Sequence, residues 1–104
     1  MWRIEYNEVA ERSILDLDKP VRQRVLAFMR DRVAPSSDPR VLAEPLHGEL
    51  RGLWRFRVGD YRVICDIHKV IEVVEVVEVG HRSKVYKKPR IRKDTTAWME
   101  EGKK

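Results

Sequence analysis

Between Trp54 and Ile67 the chain reads WRFRVGDYRVICDI, and its alternation of apolar and polar side chains leaves little choice of local structure. Trp54, Arg55, Phe56, Arg57 and Val58 alternate with a period of two, the signature of a strand with one buried face. Gly59 and Asp60 supply a two-residue hairpin loop, glycine accepting positive φ without steric cost. The chain then returns as a second strand from Tyr61 to Ile67. A two-residue loop fixes the register: Val58 lies opposite Tyr61, Arg57 opposite Arg62, Phe56 opposite Val63, Arg55 opposite Ile64 and Trp54 opposite Cys65. Cross-strand partners share a face. One face therefore collects Trp54, Phe56, Val58, Tyr61, Val63, Cys65 and Ile67, and is read as core. The other collects Arg55, Arg57 and Arg62. Like charges placed opposite one another destabilise a hairpin, so Arg57 against Arg62 calls for an anionic ligand.

The rest of the chain supplies layers to cover this hairpin. WRIEY, Trp2 to Tyr6, alternates like a short strand. Asn7 is a suitable N-cap for a helix to about Leu17 with Ala10, Ile14 and Leu17 on one side. Asp18 caps a second helix, with Pro20 harmless in its first turn, running to about Val33 and turning Val21, Val25, Phe28 and Met29 inward. Residues 34–52 contain three prolines and two glycines and read as an irregular connection. Ile71 to Val79 is valine-rich and suits the middle of a sheet. A tight turn at Lys69 and Val70 would set Val77 opposite Arg62. HRSKVYKKPRIRK is strongly basic, and DTTAWMEE has the caps of a short helix, Trp98 and Met99 being available to dock. The order describes an α+β domain: N-terminal strand, helical hairpin, antiparallel meander, then a basic C-terminal tail or helix.

With 104 residues, one core is the limit. No apolar run is long enough to span a membrane. No signal-peptide pattern precedes the first strand, and the lone Cys65 sits on the core face as a structural thiol, so a reducing cytoplasm is the expected location. Charge is uneven: residues 1–50 hold 8 basic and 9 acidic side chains, whereas residues 51–104 hold 14 and 8. The net charge of +5 thus resides in the sheet and tail. Such a surface attracts polyanions. No metal-ligand spacing is visible, since His47, His68 and His81 are scattered and one cysteine makes no zinc site. Neither a phosphate-cradling glycine loop nor a serine partnered by His and Asp appears, and no cofactor is expected. What remains is the arginine face together with VGHRSKVY, Val79 to Tyr86. Guanidinium groups grip phosphate oxygens in two-pronged fashion, and a nearby tyrosine can stack on an unpaired base.

LHGELRGLWRFRVGDYRVICDI, followed by IEVVEVVEVGHRSKVY, resembles the RelE toxins of the RelE/ParE superfamily, the toxic halves of bacterial toxin–antitoxin pairs. The similarity covers about residues 2–87 and is strongest from Leu46 to Tyr86. It implies a RelE-like toxin domain over residues 1–88 with a basic extension over 89–104. It also implies ribosome-dependent, metal-independent cleavage of messenger RNA that inhibits translation. A cognate RelB-like antitoxin would be the partner, and operator DNA would be reached only through it. Residue by residue, the family's catalytic lysine positions fall on Arg55 and Arg57, its transition-state arginines on Arg62 and Arg82, and its base-stacking tyrosine on Tyr86. Arginine in place of lysine departs from that pattern, because arginine stays protonated and cannot act as a base. Cleavage by 2′-OH attack needs a proton acceptor, and His81 is the nearby imidazole.

Each assignment has a structural counterpart. Arg55 and Arg57 can coat a solvent-facing sheet paired with Glu75; Tyr86 can pack on the sheet edge; His81 can be a surface residue; residues 87–93 can be a solvated charge run. At the level of function, the alternatives to an endoribonuclease are a ParE-like inhibitor of DNA gyrase, which shares the VGDYRVI turn, and a non-catalytic antitoxin-binding co-repressor.

Overall fold

The computed structural model describes residues 1–87. The expected C-terminal helix and the basic extension over 89–104 lie outside the described residues. Arg3–Tyr6 forms β1, Glu8–Leu15 α1, Lys19–Phe28 α2, Glu44–Pro45 β2, Trp54–Val58 β3, Tyr61–His68 β4 and Val73–His81 β5. The strands form one sheet in the order β1-β5-β4-β3-β2. β3, β4 and β5 make the expected antiparallel meander, while β1 joins β5 in parallel at the far edge. Helices α1 and α2 cover one face.

Local chemistry sets the helix ends. Asn7 caps α1 as expected, its Oδ1 accepting the Ala10 N–H at 2.8 Å. The helix stops at Leu15, two residues early. Asp18 precedes α2 but makes no side-chain cap bond. The helical path does reach Val33, but residues Met29–Val33 widen into a π-helical turn with Met29 and Val33 fully buried. The connection over 34–52 is more ordered than its prolines suggest: it contains 3-10 turns at Pro39–Leu42 and Gly48–Leu50, and β2 between them pairs with β3.

The register of β3 against β4 is the one the hairpin loop dictates, with Arg57 opposite Arg62. Gly59 sits at φ 59°, the left-handed conformation the turn demands. The β4–β5 pairing differs from expectation. The connection is a four-residue loop between His68 and Val73, with Glu72 at φ 54°, not a tight turn at Lys69 and Val70. A β-bulge then inserts Val77, because Cys65 pairs with Val76 while Ile64 pairs with Glu78. Arg62 consequently faces Gly80, and Val77 does not oppose it.

The main core lies between sheet and helices: Phe56, Val63, Cys65, Val74, Val76 and Val79 against Ala10, Ile14, Val25, Met29 and Val33. Phe56 is fully buried, whereas Trp54 and Tyr61, expected in the core with it, are only half-buried because they lie near strand ends. Cys65 is fully buried, and burial first, with Asp66 and Glu75 adding to it, pushes its thiol pKa well above the ordinary value. Beyond Tyr6, β1 no longer covers β5, and the buried Ser13 hydroxyl takes over: it accepts the Val79 N–H at 3.1 Å and donates to Ala10 O at 2.9 Å. The opposite face of the sheet carries a smaller apolar cluster, Leu46, Leu53, Ile64, Val77 and Val85. That cluster is what positions the site.

Candidate nucleic-acid interface

Arg55 and Arg57 stand on β3, two residues apart on the face away from the helices, and Arg62 stands beside Arg57 on β4. Their partner is not Glu75, as the structural alternative supposed, but Glu44 on β2. One Glu44 oxygen accepts from Arg55 Nε at 2.9 Å and from Arg57 Nε at 2.8 Å. The two guanidinium groups hold the Glu44 carboxyl below its ordinary pKa. One carboxylate thus serves two cations, and a positive excess remains on this edge.

Tyr86 reaches the same place by a different route. Gly80 ends most of the pairing on β5, and a Cβ there would stand 3.3 Å from Val85 Cβ. The bare backbone lets the 3-10 turn Val85–Lys87 fold against β5, burying Val85 in the smaller cluster. Tyr86, next in sequence, then points outward to Arg55: its hydroxyl accepts from Arg55 Nη1 at 3.0 Å, and the guanidinium carbon lies 5.8 Å from the ring centroid. The Tyr86 hydroxyl first, and Glu44 second, raise the pKa of Arg55 further. Glu44, Pro45, Leu46, His47, Leu50, Arg55 and Tyr86 line an open cleft of about 490 Å³.

Arg62 and Arg82 belong to the hairpin tip. Arg62 Nη1 donates to Gly59 O and Tyr61 O, at 2.8 and 2.9 Å. The Arg82 N–H donates to Asp60 O at 2.9 Å, which moors the strand exit to the β3–β4 turn, and its exposed guanidinium lies 3.6 Å from the Asp60 carboxylate. The row therefore runs Arg55, Arg57, Arg62, with Arg82 at the tip and Tyr86 at the other end. His81 is not part of that face. It pairs with Tyr61, whose side chain points to the helix side, and the two rings meet edge to face at 5.4 Å. Its Nδ1 accepts the Ser83 N–H at 3.2 Å and lies 2.8 Å from the Ser83 hydroxyl.

Sequence reasoning missed Glu44 and His47, both in the connection read as irregular. Their signal was slight: the AEPLH run has no periodicity, and only its pairing with β3 gives it a place. It also missed a His and carboxylate group formed by Asp66, His68 and Glu75, where no ligand set was expected.

The family model for the ParE toxin of type II toxin–antitoxin systems matches residues 4–86. The chain belongs to that family. Several of the proteins it is similar to carry the RelE name. A curated relative, Toxin RelE of Mycobacterium tuberculosis, is 37% identical over 51 residues, which is 49% of this chain and 53% of the relative. The chain thus spans about half the length of that curated relative. Among solved structures, the toxin–antitoxin complex RelBE2 from M. tuberculosis superposes with a TM-score of 0.72 at 25% identity, over 78% of this chain and 98% of that one. An archaeal RelE–RelB complex from Pyrococcus horikoshii gives 0.61 at 26% identity, covering 81% and 98%. A mutant E. coli RelE in the free state gives 0.64 at 21% identity, covering 83% and 90%, a likeness of fold alone. The α+β architecture of this ParE-family chain is therefore the RelE fold.

Proposed function

We propose that this toxin-family chain is an endoribonuclease that cuts messenger RNA on the ribosome. The observation that carries the reading is the like-charged pair Arg57 and Arg62 in direct cross-strand register, continuous with Arg55 beneath an exposed tyrosine. Such a row suits a phosphodiester: the guanidinium groups hold the non-bridging oxygens, and Tyr86 stacks on the adjoining base. In the reaction the ribose 2′ oxygen attacks phosphorus as its proton leaves, the bond to the 5′ oxygen breaks, and that oxygen takes up a proton. Products are a cyclic phosphate and a 5′ hydroxyl. The arginines stabilise the charge that develops on the pentacoordinate phosphorus. Being always protonated, they cannot accept the 2′ proton. That task falls to an imidazole: His47 lines the cleft with Arg55 and Tyr86, whereas His81 stands on the other face of the sheet.

A RelB-like antitoxin is the expected neutralising partner, supported by the RelB–RelE complexes among the structural neighbours. It would also supply operator contact. The chain is read as acting in the cytoplasm beside the ribosome, and among the described residues no helix is long and apolar enough to cross a membrane. The ParE name of the matching family supports a second reading, inhibition of DNA gyrase by binding. Mapping the 5′ ends of cellular messages after induction without antitoxin separates the two. Cuts within translated codons support cleavage; double-strand DNA breaks without such cuts reject it in favour of gyrase.

A further inference from the structure

We propose that Asp66, His68 and Glu75 form a binding site for a divalent cation of the zinc class, at the opposite end of β4 from the arginine row. Asp66 and Glu75 are direct cross-strand partners, two carboxylates set against each other as Arg57 and Arg62 are. A cation seated between two carboxylates is attracted by both. His68 follows Asp66 by two residues, so the strand period returns it to the same face, diagonal to Glu75. Its Nε2 lies 3.3 Å from Glu75 Oε1 and 3.7 Å from Asp66 Oδ2. All three ligand atoms fall within 4.8 Å of one another. Zinc bound to nitrogen and oxygen at 2.0–2.1 Å has tetrahedral edges of about 3.3–3.4 Å. The imidazole already stands at that spacing from Glu75, and a small side-chain rotation brings Asp66 to it.

The three side chains are largely shielded, at 18%, 12% and 7% exposure for Asp66, His68 and Glu75, so a bound ion would be held by them away from bulk water. One neutral imidazole and two carboxylates form a set typical of zinc and its neighbours in the transition series, with a fourth position left for water. The site is about 13 Å along the strand from Arg62, so the cation would not touch the scissile phosphate, and cleavage stays metal-independent. Its effect is to tie β4 to β5 near their connecting loop.

Tag-free full-length protein, stripped with chelator and dialysed, is titrated with zinc chloride by calorimetry at pH 7.5, and with cobalt(II) by visible absorption. One equivalent of zinc should bind, and cobalt should give the intense d–d bands of a four-coordinate site. His68→Asn, Asp66→Asn and Glu75→Gln should each weaken zinc by about 10- to 100-fold or more, ligand loss being at least as costly as loss of an outer-shell partner. Circular dichroism checks folding, and the two near-isosteric carboxylate variants decide the matter if His68→Asn misfolds. The doubly substituted His47→Asn, His81→Asn protein should bind like the wild type. The proposal is overturned if the wild type takes up no zinc, if the three ligand variants bind unchanged, or if binding disappears with His47 and His81.

Discussion

The two ends of β4 share a design with opposite sign. At the hairpin end, Arg62 faces Arg57 across β3; four residues along the same face, Asp66 faces Glu75 across β5. Both are like-charge pairs at a position where sheets ordinarily place complementary or apolar partners. The basic pair is open to solvent and shares its edge with an exposed tyrosine, whereas the acidic pair is shielded and holds an imidazole between its members. The lesson is that the same violation of pairing reads differently with exposure: an open cationic pair fits a large polyanion, a closed anionic pair fits a small cation.

The strongest way to break the comparison is at the tip. Arg82→Ala should lower message cleavage on the order of 100- to 1000-fold while leaving folding and antitoxin binding intact, as loss of one donor to a developing charge does. Arg82→Lys should restore part of it, a point charge lacking the two-pronged grip. Full toxicity of Arg82→Ala in cells lacking antitoxin would move the reading from ribonuclease to gyrase inhibitor. Next in size is Tyr86→Ala, which should weaken RNA binding by about 1–3 kcal/mol without changing the melting temperature. A lower melting temperature with unchanged cleavage would make Tyr86 an edge-packing residue.

Smaller effects sharpen the symmetry. Relief of like-charge opposition is worth roughly 0.2–1 kcal/mol per pair. Zinc should raise the melting temperature of the wild type and leave that of Asp66→Asn nearly unchanged, a difference that thermal melts with and without metal would reveal. At the basic end Arg57→Ala should lose cleavage yet melt no lower than wild type, since Arg55 retains Glu44. A large drop in its melting temperature would mean the arginine row is structural. Smallest is the acid dependence of that edge. Glu44 is held below its ordinary value of 4.5, mainly by the Arg55 hydrogen bond, so its contribution is complete above that value and fades as pH falls through the lowered one. Glu44→Gln should flatten the stability profile below about pH 5.

The central hairpin was legible because one two-residue loop and a period of two determine every pair from Trp54 to Cys65. Helix existence and the Asn7 cap were equally plain, being local. What escaped reading was non-local. Nothing in the valine run of β5 marks Val77 as the extra residue, and that bulge moved Gly80 to Arg62. Glu44 and His47 sit in a segment with no periodicity, and gain meaning only when β2 lays them along β3. Asp66, His68 and Glu75 are spaced unlike any contiguous metal motif, because strand pairing and not sequence brings the third ligand in. The placement of His81 away from the arginine face was in principle readable, since it needed only the β5 register.

Val77 has a consequence for how this chain tolerates changes of length. Where strands pair without a bulge, removing one residue turns every side chain beyond it to the other face. Remove Val77, and Ile64 still meets Glu78, Cys65 still meets Val76, and every face is kept. The loss is confined to one buried valine of the smaller cluster. Within this strand, insertion and deletion between homologous chains should therefore concentrate at the bulge around Val76 and Val77, where a residue can come or go while the alternation on either side stays in phase.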